Sequence, residues 1–101
     1  MARMFPAEAN RLLKNVPEQF TFYCHDGGRF WNLADLARAV SSMSAEVFEH
    51  HVTGEKNDFA NWVYDVIGDH ALAHELRNTR SLAVTSRRLN ERVALLEARR
   101  G

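Results

Sequence analysis

The chain has 101 residues, 46% of them apolar and 10% aromatic, with 13 basic and 13 acidic side chains that cancel. That is the size of one domain with material for a core, and not the composition of a disordered segment. The zero formal charge gives no overall field toward nucleic acid or a membrane, and the single cysteine, Cys24, excludes an internal disulfide and a thiolate zinc centre.

The stretch "FPAEANRLLKNVP" predicts a short helix that starts at Pro6 and stops before Pro17, an N-terminal arm over residues 1–17. The opening "MARMFPAEAN" lacks the apolar run of a signal peptide, and nowhere does the chain approach a membrane span, so a cytoplasmic protein is expected. "EQFTFYCHDGGRFWNL" predicts a β-hairpin, with Phe20, Phe22 and Cys24 on one face. A turn on Gly27 and Gly28 would set Asp26 opposite Arg29.

"NLADLARAVSSM" predicts a helix capped by Asn32, with Asp35 at capping-box spacing and Leu33, Leu36, Ala37 and Val40 as its apolar stripe. "MSAEVFEHHV" predicts another, capped by Ser44 and ended near Gly54. "NDFANWVYDVIG" places Phe59, Trp62, Val63, Val66 and Ile67 at i, i+3, i+4, i+7 and i+8, with Asn57 or Asp58 as the cap and Gly68 as the stop. Asp69 then caps "HALAHELRN". From Thr79 to Arg100 the chain has neither Pro nor Gly and predicts one long helix, either continuous with its predecessor or broken near Asn78. The expected fold is α+β and mostly helical. A β-hairpin packs on four to five helices in a core over residues 18–78, followed by a long arginine-rich helix over 79–101.

Charge is uneven along the chain. Residues 70–101 carry seven arginines against three glutamates, and residues 33–69 carry seven acids against Arg38 and Lys56. Such a dipolar chain favours association with itself or with a charged partner. Leu82, Leu89 and Leu96 recur every seven residues with Val93 beside them, a short helix–helix seam flanked by Arg87, Arg88 and Arg92.

Chemical readings centre on the histidines. His70 and His74 are spaced to reach one ion, but Ala71 stands where a zinc-protease helix carries its glutamate, so a solvated face is the simpler reading. His50 and His51 diverge by about 100° on a helix. His51 shares the face of Val47 and Phe48, and a buried histidine there needs a partner: Asp58 across the turn, or carbonyls at a helix end. "CHD" at 24–26 has the residue types of a nucleophile, base and acid. Adjacent strand residues face opposite ways, however, and spacing places no second histidine to serve Cys24.

Residues 22–77 resemble a family of small prokaryotic domains of unknown function, with the pattern "F..HV....NDF..W..DV.GD..LA". Phe48, His51, Val52, Asn57, Asp58, Phe59, Trp62, Asp65, Val66, Gly68, Asp69, Leu72 and Ala73 fall on that pattern. "DGG" in the hairpin and Thr53 depart from it. The resemblance implies a small α+β domain and no particular activity. It selects His51 and the Asn57–Asp58 pair while passing over His50, His70 and His74.

The expectation is therefore a non-enzymatic interaction or adaptor module without metal or cofactor. It self-associates as a dimer, or binds a protein partner, through Leu82, Leu89, Val93 and Leu96. His51, Asn57, Asp58, Phe59 and Trp62 form a structural corner. The alternatives are nucleic-acid binding through Arg87, Arg88 and Arg92, and a metal or acid–base site around His51 and Asp58.

Overall fold

A computed structural model describes residues 5–101. In chain order it has α1 (Pro6–Leu13), a 3-10 turn (Glu18–Phe20), β1 (Phe22–Tyr23), β2 (Arg29–Phe30), α2 (Leu33–Ser41), α3 (Ala45–His51), α4 (Asp58–Trp62), a π-helical turn (Val63–Ile67), α5 (His70–Arg77) and α6 (Leu82–Arg99). The mostly helical α+β architecture, with its hairpin and long last helix, is the one the sequence predicts.

Local chemistry explains where the helices begin. Pro6 occupies the first position of α1, where its missing N–H costs nothing. The side chains of Asn32, Ser44, Asn57, Asp69 and Ser81 each accept a hydrogen bond from a backbone N–H in the first turn of α2 to α6. Asp35 Oδ2 accepts from the Trp31 N–H rather than from the Asn32 amide, one residue beyond an ordinary capping box. α5 closes at Asn78, and α6 is a separate helix starting at Leu82.

The hairpin is shorter than its alternation suggests and turns one residue earlier. Phe22 pairs with Phe30 and Tyr23 with Arg29. The Gly27 N–H donates to the Cys24 carbonyl and the Cys24 N–H to the Gly28 carbonyl. His25 and Asp26 are thus the central turn residues, and Gly27 follows in the left-handed region at φ +96°. Asp26 does not face Arg29. Its carboxylate accepts from the Gly28 N–H, and Arg29 lies over the Tyr23 and Trp31 rings while donating to Thr21 Oγ1. Phe20 lies in the 3-10 turn and is exposed.

The helix over 58–67 changes its winding part-way. The Gly68 N–H reaches back five residues to the Val63 carbonyl, the hydrogen bond of a π turn. Phe59, Trp62, Val63 and Ile67 remain buried, whereas Val66 is only half-buried. Gly68 ends the segment at φ +87°.

α6 runs across α2 and α1 and touches α5. Leu89 and Leu96 are buried there, and Leu82 and Val93 pack partly against the same core. This corrects the expected partner seam: the heptad leucines face the chain's own α1 and α2. Ala9 and Leu12 of α1 are buried in the core. The first four residues lie outside the described residues. No described helix is long and apolar enough to cross a membrane.

Candidate functional site

Three segments converge on His51: the hairpin turn, the end of α3 and the start of α4. His51 is the last residue of α3, and Val52 then bridges to Asn57. That bridge closes a tight loop, in which the Thr53 N–H donates to the Lys56 carbonyl and Thr53 Oγ1 accepts from the Glu55 and Lys56 amides. The closure brings Asp58 back over the His51 ring. Their separation, Nδ1 to Oδ2, is 2.9 Å. Lys56 Nζ donates to the same carboxylate oxygen at 2.9 Å. Asn57 caps α4 through Oδ1 and donates from Nδ2 to the Leu76 carbonyl at the end of α5. The corner is thereby tied to a second helix.

On the other side of the ring, His51 Nε2 accepts from the His25 backbone N–H at 3.0 Å, and Cys24 Sγ lies 3.7 Å from the same nitrogen. An acceptor at Nε2 fixes the neutral ring as the Nδ1–H tautomer, donating to Asp58. Phe22 and Phe59 pack around the ring, with centroids 5.2 and 5.0 Å from it. Trp62 meets Phe22 edge-on, and its indole N–H donates to the Phe20 carbonyl at 2.8 Å.

Cys24, His51 and Asp58 therefore form a line of thiol, imidazole and carboxylate that the sequence did not place. "CHD" holds only Cys24 of the three, and neither the histidine nor the aspartate that matters. His25 itself points to the surface and stacks on His50 at 3.7 Å. The alternation rule correctly sends Cys24 and His25 apart. What it cannot supply is the return of His51 from 27 positions along the chain.

The electrostatics of this line follow from burial and from its hydrogen bonds. Burial raises the Cys24 thiol pKa above its ordinary value, and the backbone amides of Asp26 and His25 that pull it down do not cancel the rise. A reactive cysteine needs the opposite shift. The lone pair that a general base would use is occupied by the His25 amide. Burial also pulls the Asp58 carboxyl upward, but the hydrogen bonds and charges of Lys56 and His51 more than offset it, and its pKa lies below the ordinary value.

The remaining expected site residues fall elsewhere. His70 is exposed and stacks on Tyr64 at 4.0 Å, and His74 is exposed. Among the described residues, no three His, Cys, Asp or Glu side chains converge in a way that could hold a metal ion. The arginines of α6 do not form the edge proposed for phosphate contacts. Arg92 is bound through Nε and Nη2 to the buried Asp69 carboxylate, at 2.7 and 2.9 Å. Arg88 pairs with Glu75 at 3.4 Å, leaving Arg87 exposed.

A second feature surrounds the corner. A cleft of about 410 Å³ opens between β1 and the 58–67 helix, walled by Phe22, Tyr23, Trp62 and Val66, with Asp58 and Asp65 also in its lining. Tyr23 in its wall is 69% exposed, and Phe20, whose carbonyl accepts from the Trp62 indole of that wall, is 52% exposed.

No family model matches this chain, and neither a curated protein nor a solved structure does so.

Proposed function

We propose that this protein is a non-enzymatic interaction module that binds another polypeptide on its hairpin face. The observation that supports the reading is the exposure of Phe20 and Tyr23 beside the cleft walled by Trp62 and Val66. Large aromatics held outward on a rigid frame offer contact area with little side-chain entropy to lose. Apolar surface gathered around a groove is the usual mark of a protein interface. Tyr23 is fixed from below by the Arg29 guanidinium, and the Phe20 carbonyl is held by Trp62. Asp65 in its lining forms no ion pair among the described residues. The matching partner is an apolar segment that carries a lysine or arginine.

The leucine seam of α6 plays no part in this reading, because Leu89 and Leu96 lie in the core. A photo-crosslinking residue at position 23, compared with one at the exposed position 87 on α6, tests it in cells that make the protein. The module predicts a discrete cross-linked polypeptide from position 23 and none from position 87. Its mass distinguishes a second copy of the chain from a different partner. Absence of any adduct at position 23, with the protein folded and expressed, contradicts the proposal.

A further inference from the structure

On the far side of the 53–56 loop lies a different concavity, of about 330 Å³, between that loop and the link from α5 to α6. Its charged lining is Lys56, Arg77 and Arg80 against Glu55. That is a cationic excess in a protein whose total charge is zero. The volume sits at the low end of small-ligand cavities.

The cations are held in place by the frame already described. The Val52–Asn57 bridge and the Thr53 turn fix the loop, and the Asn57 bond to the Leu76 carbonyl fixes that loop to the end of α5. Arg77 is oriented by Asn61 Oδ1 at 3.1 Å and by the Tyr64 ring. Arg80 lies directly over Gly54: a Cβ on residue 54 would come within 3.3 Å of Arg80 Nη1. Among the described residues Arg80 has no carboxylate partner, although Glu55 lines the same cleft. Neutral donors complete the wall. Asn61 uses its oxygen on Arg77, which leaves its amide hydrogens free. Thr79 accepts from the Ser81 N–H and keeps its own hydroxyl hydrogen.

We propose that this cleft binds a small phosphate-bearing anion, gripped by Arg80 and Arg77 with Asn61 and Thr79 as neutral donors. A guanidinium without a carboxylate, beside a second guanidinium and two spare donors, matches the several acceptor oxygens of a phosphate group. Lys56, already bound to Asp58, adds charge rather than a direct contact. This cleft shares Asn61 with the aromatic cleft, but Arg77 and Arg80 line only this one, and the site does not depend on the interaction reading.

The test uses the full chain in low-salt buffer. Inorganic phosphate and pyrophosphate are titrated while backbone amide shifts are followed by NMR, with chloride at matched ionic strength as the control. The expected result is saturable movement of the 53–56, 61 and 77–80 amides with phosphate but not with chloride. Arg80→Gln, an exposed residue without a structural bond, weakens binding about tenfold. Arg87→Gln on α6 leaves it unchanged. Equal affinity in wild type and Arg80→Gln overturns the site, as does the absence of saturable shifts. A response to random duplex oligonucleotide without any response to phosphate or pyrophosphate also overturns it, in favour of a nucleic-acid surface.

Discussion

His51 combines the neighbours of a catalytic histidine with a geometry that blocks one of its ring nitrogens. It has a carboxylate on one nitrogen and a thiol near the other, yet a backbone amide occupies the lone pair that a base would use. Truncation to Ala removes two hydrogen bonds and leaves a hole between Phe22 and Phe59. Chemical denaturation is expected to show a loss of about 3 kcal/mol, with the fold recovered at lower temperature. Asp58 sets a pH dependence of definite sign. Its folded pKa lies below the ordinary 3.8, so the carboxylate form favours the fold. That contribution is complete above the unfolded value and disappears as pH falls through the folded one. Asp58→Asn should flatten the stability profile in this acid range. A titration of unfolding free energy from pH 6 downward reads the difference. Sequence reasoning reached the His51–Asp58 pair because a buried histidine demands a partner and Asp58 lies one turn away. Cys24 stayed hidden because a contact spanning 27 positions leaves no local signature.

Arginine burial was equally opaque to sequence pattern. Arg92 on the wheel of α6 flanks the leucine row and looks like a phosphate contact, but its guanidinium grips the buried cap of α5 in a two-bond pair. Arg92→Ala leaves the Asp69 charge buried without its partner and is expected to cost about 3 kcal/mol in a denaturant titration.

At the level of the elements, caps and glycines were legible because they act within four residues. Asn32, Ser44, Asp69 and Gly68 all hold the positions their residue types predict. The hairpin turn moved by one residue because "DGG" offers two glycines for the positive φ, and the turn uses only Gly27 for it. The π turn at 63–67 had no signature, since the apolar spacing is the same to within the width of the buried face. α6 gives the sharpest element-scale test. Leu89→Ala should cost about 2–5 kcal/mol, whereas Leu95→Ala on the exposed side should change stability by about 0.5 kcal/mol or less. Comparable effects at both positions would mean that the helix is rotated from the orientation described. Thr85, fully buried in the same helix, has a hydroxyl without a hydrogen-bond partner. Thr85→Val should therefore stabilise the protein by about 1 kcal/mol in the same assay.

For the whole molecule, the heptad leucines carried a misleading message. A seven-residue recurrence specifies one apolar face and is silent on whether that face meets another chain or the chain's own α1 and α2. Here it meets the latter, so cutting the chain after Asn78 removes the cover of the core and is expected to leave an unfolded polypeptide by circular dichroism. What remains outward is the aromatic hairpin face on one side of the His51 corner and the cationic cleft on the other. The aromatic cleft is lined by His51 and Asp58 and the cationic cleft by the 53–56 loop that joins them, so both rest on the corner being a rigid tie. That is the central claim, and the protonation of the His51 ring tests it most directly. Nitrogen-15 spectra of the histidine rings at neutral pH should show His51 neutral, with the proton on Nδ1 and a bare, hydrogen-bonded Nε2. A His51 imidazolium paired with a Cys24 thiolate, or a proton on Nε2, would contradict the account and make the line from Cys24 to Asp58 a reactive site.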